Sequence, residues 1–162
     1  MSATTRRETT IEADPNLPTV TITRDFDAPP ERVFRAWTDP ELVQRWLGPK
    51  DTPMRMHHWD ARTGGSYRYS AERDGAVIAT FYGSFHEVRP NQRMVQTFTY
   101  EDVPDGVSLD IVSFTDLGGG RTRVTNLSVV DSIEARDAML ASGMESGVVE
   151  GYEALDELLA KG

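Results

Sequence analysis

Residues 132–161 read SIEARDAMLASGMESGVVEGYEALDELLAK. Leu140, Met144, Val148, Tyr152, Leu155 and Leu159 recur there at spacings of three and four, so one face of a helix is apolar along its length. Asp131 or Ser132 can cap its start, and Glu134 falls in the first turn, where a carboxylate meets the positive end of the helix dipole. At ~1.5 Å per residue such a helix spans on the order of 40 Å, more than most isolated sheets are wide. Gly143, Gly147 and Gly151 lie near or on the packing side, four residues apart. Each costs ~1 kcal/mol relative to alanine inside a helix. The expected return is close approach of helix to sheet, or room left between them. Glu145 and Glu150 exclude a membrane-spanning use of that spacing.

Upstream the chain reads differently. Val20, Ile22, Arg24 and Phe26 alternate with Thr21, Thr23 and Asp25, a strand pattern. Asp27-Ala28-Pro29-Pro30 ends that strand, and Pro30 opens a short helix with Val33, Phe34 and Trp37 on one face. Thr38-Asp39-Pro40 breaks it and starts a second, which carries Leu42, Val43 and Trp46 and stops at Gly48-Pro49. From Thr52 to Val130 six short strands follow. Their turns are Gly64-Gly65, Asp74-Gly75, Pro90-Asn91, Pro104-Asp105-Gly106 and Gly118-Gly119-Gly120. Tight turns between successive strands make an antiparallel meander. The expected architecture is α+β: a curved antiparallel sheet of seven strands, two short helices, and a long C-terminal helix in the concave face over a cavity. Residues 1–17 are polar and hold Pro15, so they are expected to form a flexible arm, with one domain over residues 18–162.

Composition narrows the function classes. The chain of 162 residues has 26 acids against 17 bases, a net charge of −9. That balance, with no basic cluster beyond Arg6-Arg7, argues against a nucleic-acid surface. No apolar run approaches the ~20 residues of a membrane span. The first residues lack the apolar region of a secretory signal, so a cytoplasmic location is expected. There is no cysteine, which removes disulfides, thiolate metal sites and cysteine nucleophiles.

The run ITRDFDAPPERVFRAWTDPE (Ile22–Glu41) resembles the opening of START-like (SRPBCC) proteins. Trp46-Leu47-Gly48-Pro49, the Asp60–Arg68 hairpin DARTGGSYR, the strand end GSFHEV (Gly83–Val88) and the closing segment Met144–Leu159 are similar to further motifs of that superfamily, in the same order. Together they resemble the branch named for the activator of the heat-shock-protein ATPase (AHSA-type), over residues 19–160. The resemblance implies a helix-grip fold with a hydrophobic cavity. It implies less about chemistry, because the fold hosts lipid carriers, aromatic polyketide cyclases, ring-hydroxylase domains and co-chaperones.

Catalytic and metal motifs are sparse. His57 and His58 are strand neighbours and point to opposite faces; His86 stands apart, and no metal site is expected. No Gly-x-Ser-x-Gly elbow occurs. Gly118-Gly119-Gly120 lies between strands with no lysine after it, so it is a turn and no phosphate cradle. Tyr67 shares a face with Tyr69; Phe81, on the next strand, and Phe98 add further aromatics, serving as core or as the lining of an apolar ligand site. Asp110 has the parity of Val112 and Phe114, and Asn126 that of Val124 and Ser128, which turns both polar groups inward if those apolar residues face the core. A buried, unpaired carboxylate there would have a raised pKa.

The expected ligand-binding set is therefore Trp46, His58, Tyr67, Tyr69, Phe81, Phe98, Asp110, Asn126, Met144 and Val148, with Trp46 placed at the cavity mouth by the resemblance. No cofactor is expected. The leading expectation is a binding domain for a small hydrophobic or aromatic molecule. The alternatives are a polyketide cyclase or dehydratase using Asp110 or a histidine as acid/base, and a chaperone-interacting stress-response module. A homodimer is a further expectation.

Overall fold

The structure, a computed structural model, describes residues 9–161. Eight strands form one antiparallel sheet: β1 (Thr10–Ala13), β2 (Thr19–Phe26), β3 (Met54–Trp59), β4 (Ser66–Arg73), β5 (Ala76–Arg89), β6 (Arg93–Tyr100), β7 (Val107–Gly118) and β8 (Arg121–Val129). Their order in space is β1-β2-β8-β7-β6-β5-β4-β3. The six strands of the meander fall between the turns read from the sequence, and β8 returns to pair with β2. Asp74 and Asn91 take positive φ (54° and 64°), which tight hairpins demand and these residues tolerate.

The eighth strand corrects the expected seven. Residues 10–13, inside the segment read as a loose arm, pair with β2 from Thr10↔Thr23 to Ala13↔Val20. The turn after it is held from two directions. The Asp14 carboxylate accepts from the Asn16 and Leu17 amides, and Arg136 Nη1 donates to the carbonyls of Asp14, Leu17 and Thr19 at 2.9–3.0 Å. The remainder of that arm, residues 1–8, lies outside the described residues.

Among the described residues four helices close the concave face: α1 (Pro30–Thr38), α2 (Pro40–Trp46), α3 (Ile133–Ala141) and α4 (Met144–Ala160). Asp39 ends α1 and caps α2, accepting from the Glu41 amide at 3.0 Å. The single long C-terminal helix of the sequence reading is two helices. Ser132 caps α3 through the Ala135 amide, and Gly143, at φ 87°, breaks the ladder before α4 begins. The other two glycines serve contact with a helix end and not with the sheet. A Cβ on Gly151 would stand 2.8 Å from the Trp46 carbonyl oxygen, and one on Gly147 would touch the ring of Pro49. So α4 lies against the end of α2 and the loop after it, while Tyr152, Leu155 and Leu159 enter the core.

Beneath α1, α2 and α4 the core is aromatic. Trp37 and Trp46 lie 4.6 Å apart between ring centroids, and Tyr152, Phe26 and Phe114 surround them. The Trp46 indole donates to the Ala36 carbonyl at 2.8 Å, and the Trp59 indole to that of Thr38. Both polar edges are thereby satisfied inside an apolar cluster.

Candidate functional site

Strand parity assigns the inward residues. Register pairs Asp110 with Gln96 on β6 and Ser128 on β8, and Asn126 with Val112 and Ile22. On β4 and β5, Tyr67 and Tyr69 face inward opposite Gly83 and Phe81. The rings make a continuous wall. Tyr67 stacks on Tyr69 at 5.8 Å, Phe81 lies 5.5 Å from Tyr69, and Phe98 stacks on Phe81 at 5.1 Å. The Tyr67 hydroxyl reaches across Gly83 to donate to the Thr97 carbonyl at 2.6 Å. A side chain on Gly83 would collide with both groups, so the backbone gap at that position seats the tyrosine.

Asp110, on β7 opposite Gln96 of β6, stands at the edge of this wall. Ser128 Oγ donates to its Oδ1 at 2.6 Å, and Ser108 Oγ approaches the same oxygen at 3.5 Å. No described residue donates to Oδ2. Loss of solvation pushes the carboxyl up to about 6, against the lowering effect of the two serine hydroxyls. Asp110 nevertheless keeps accessible surface, as do Gln96, Phe98, Asn126, Met144 and Val148 around it. These half-buried residues mark an opening in the packing between the sheet and α4.

The surroundings are phenolic. Burial raises the pKa of Tyr69 and of Tyr152, and the charge of Asp110 raises both further. Tyr67 is raised by burial first, then by Tyr69 and Asp110. Three tyrosines from β4 and α4 therefore feel one carboxylate. Among the described residues Asn126 Oδ1 is buried without a hydrogen-bond partner. Unsatisfied polar groups of this kind are rare in a folded interior. Arg24, whose charge acts on Tyr152, is 3% exposed: Asp156 on α4 accepts from its Nη1 and Nη2 at 3.1 and 2.6 Å, while its Nε is buried without a hydrogen-bond partner.

A family model described as Activator of Hsp90 ATPase homolog 1-like protein matches residues 27–160. The chain belongs to this family. Among solved structures it is similar to a protein from Rhodobacter sphaeroides, with 27% identity and a TM-score of 0.85 over 95% of this chain and 99% of that one. A protein from Mycobacterium smegmatis shares 28% identity at a TM-score of 0.83, over 94% and 97% of the two chains. An Hsp90 activator from Plasmodium falciparum has 20% identity and a TM-score of 0.52 over 68% of this chain and 71% of its own, a likeness of fold alone. No curated protein matches the chain significantly.

On this Activator of Hsp90 ATPase homolog 1-like fold, the expected site residues separate. Tyr67, Tyr69, Phe81, Phe98, Asp110 and Asn126 meet on the concave face, with Met144 and Val148 of α4 packed against the same core. Trp46, expected at the mouth, is 6% exposed and sits in the helix-side cluster. His58 is on the outer face, exposed, with its ring 3.0 Å from Ser66 Oγ. His57 and His86 are exposed as well, so Asp110 is the carboxylate that remains for inward acid/base work. The residues that complete the cluster, Gln96, Ser108, Ser128 and Tyr152, carry no motif. Their signal was parity: Ser128 alternates with Asn126, and Ser108 with Asp110. No group of three or more His, Cys, Asp or Glu side chains able to hold a metal occurs among the described residues, and no helix among them is long and apolar enough to cross a membrane.

Proposed function

We propose that the protein binds a small hydrophobic or aromatic molecule between the concave face of the sheet and α4. The observation that carries this reading is a carboxylate and a carboxamide set beside aromatic side chains: Asp110 Oδ2 accepts from no described residue, and Asn126 Oδ1 is buried without a partner. A plain core satisfies such groups or replaces them with apolar ones, because each orphan costs about 1–3 kcal/mol. A ligand site keeps them to orient what enters, while Phe81, Phe98, Met144 and Val148 supply the apolar contact. Calorimetric titration over a library of aromatic and acyl compounds is the test. A dissociation constant in the micromolar range, about −8 kcal/mol, is expected for at least one class. The reading fails if nothing binds more tightly than about 1 mM.

A second reading, contact with a chaperone of the Hsp90 type, is favoured by the family description. It predicts that the purified chain raises the ATPase rate of Hsp90, less so at high salt if the acidic surface makes the contact. An unchanged rate at stoichiometric excess removes it.

A further inference from the structure

The concave cleft holds one carboxylate, Asp110, on which no positive charge acts. Beside it on β7 is Ser108; from β8 come Ser128 and Asn126; from β6, Gln96; from β4, Tyr67 and Tyr69; from α4, Tyr152. All of these are neutral. The Arg24 guanidinium on β2 is bound bidentately by Asp156; its charge acts on Tyr152 and not on Asp110. No cation appears among the groups that act on Asp110.

We propose that the molecule bound here carries a protonated amine, held at its polar end by Asp110 Oδ2 and the Asn126 amide, with its apolar body along Tyr69, Phe81 and Phe98. The proposal rests on the ligand-binding reading above and specifies the ligand's chemistry. An ammonium group brings several donors and no acceptor, and the cleft offers unmatched acceptors. Asp110 Oδ2 is one. Asn126 Oδ1, two residues along β8 from Ser128, is a second acceptor without a donor. Aromatic faces beside the carboxylate favour a cation further. A carboxylate ligand meets the opposite case, since its charge would sit against Asp110. A neutral alcohol satisfies one oxygen and leaves the charge unanswered.

Loss of solvation raises the carboxyl to about 6, and no cation offsets it. Binding an ammonium would lower it, so amine binding releases a proton near pH 6 and weakens as Asp110 becomes protonated.

Three probes on one scaffold test the proposal: 4-phenylbutylamine, 4-phenylbutan-1-ol and 4-phenylbutyrate, titrated calorimetrically into the whole chain at pH 7.5 and 5.0. At pH 7.5 the amine should bind about tenfold or more tightly than the alcohol, the scale of one charge-assisted hydrogen bond. The butyrate should bind most weakly. At pH 5.0 the advantage of the amine should shrink. Asp110→Asn should bring amine and alcohol to parity, and Asn126→Leu should cut the amine's advantage while keeping its pH dependence. Circular dichroism melts confirm that both variants are folded. Alcohol binding as tight as amine in the native chain overturns the amine assignment. So does failure of all three probes while neutral aromatics of the library bind, and that outcome leaves the broader reading standing. Failure of every compound overturns both.

Discussion

One sheet carries two aromatic regions that have been finished differently. At the helix end, Phe26, Phe34, Trp37, Trp46, Phe114 and Tyr152 meet ring against ring, and both indole N–H groups of Trp46 and Trp59 find carbonyls. Around Asp110 the rings are as numerous, yet Phe81, Phe98 and Tyr100 keep accessible surface and Asn126 Oδ1 lacks a partner. The contrast lies in what packs on top. The helix end is covered by α1, α2 and the C-terminal half of α4. The other end has only the start of α4 and α3, a nine-residue helix whose one buried side chain is Arg136. Aromatic content alone does not distinguish the two regions; the surface that the rings leave accessible does.

Substitution should expose that difference most strongly at the packed end. Trp46→Ala removes a buried indole held between Trp37 and Tyr152, at an expected cost of about 3–5 kcal/mol in urea or guanidinium unfolding. Phe98→Ala, in the open region, should cost no more than about half as much, because part of its surface is already solvated. Equal costs would mean that the second region is core too. Asp156→Ala tests the strut between the regions. It leaves the Arg24 guanidinium, 3% exposed, without its carboxylate, and should cost about 3–5 kcal/mol in the same measurement. A loss below about 1 kcal/mol would show that Arg24 finds water or another acceptor.

These assignments were legible in the sequence to different degrees. The meander was open to reading because Gly, Asn, Asp and Pro mark every turn, and strand alternation gave Asp110 and Asn126 their inward faces. Strand β1 was hidden: Thr10–Ala13 holds one large apolar residue and owes its pairing to the free edge of β2 and to Arg136. The break at Gly143 was masked because the apolar recurrence runs through it, from Leu140 to Met144 and Val148. Cross-strand partners were out of reach for a geometric reason. Counting back from Gly118↔Arg121 places Asp110 opposite Val129, but a bulge between Asp116 and Gly118 shifts the register by one and brings Ser128 there instead. The same device misplaced His58. Alternation gives it the face of Met56, but the bulge between them sends His58 outward beside Arg68 and turns Trp59 in.

The pH dependence of stability sharpens the comparison from the side of the cleft. Asp110 has a folded pKa of about 6 against an ordinary 3.8, so between those values the folded chain binds more protons than the unfolded one. Its contribution is therefore fully present below about pH 4 and is lost as pH rises through 6, where the buried charge must form. Asp110→Asn keeps an oxygen for the Ser128 hydroxyl and removes that charge. The variant should gain about 1–3 kcal/mol over the native chain at pH 7.5, and the two should converge near pH 4. Parallel stability curves would place Asp110 in ordinary solvent.

His58 supplies the smallest effect and the control. Its ring is exposed, on the outer face, and its one polar contact is the Ser66 hydroxyl at a strand end. His58→Ala should change stability by no more than about 0.5 kcal/mol, the ordinary range for a surface position. Whatever ligand the cleft takes should bind the variant with unchanged affinity, since the sheet lies between the imidazole and Asp110. A loss of binding in this variant alone would mean that the occupied face is the convex one. The division between a sealed end and an open end of the concave face would then concern stability only.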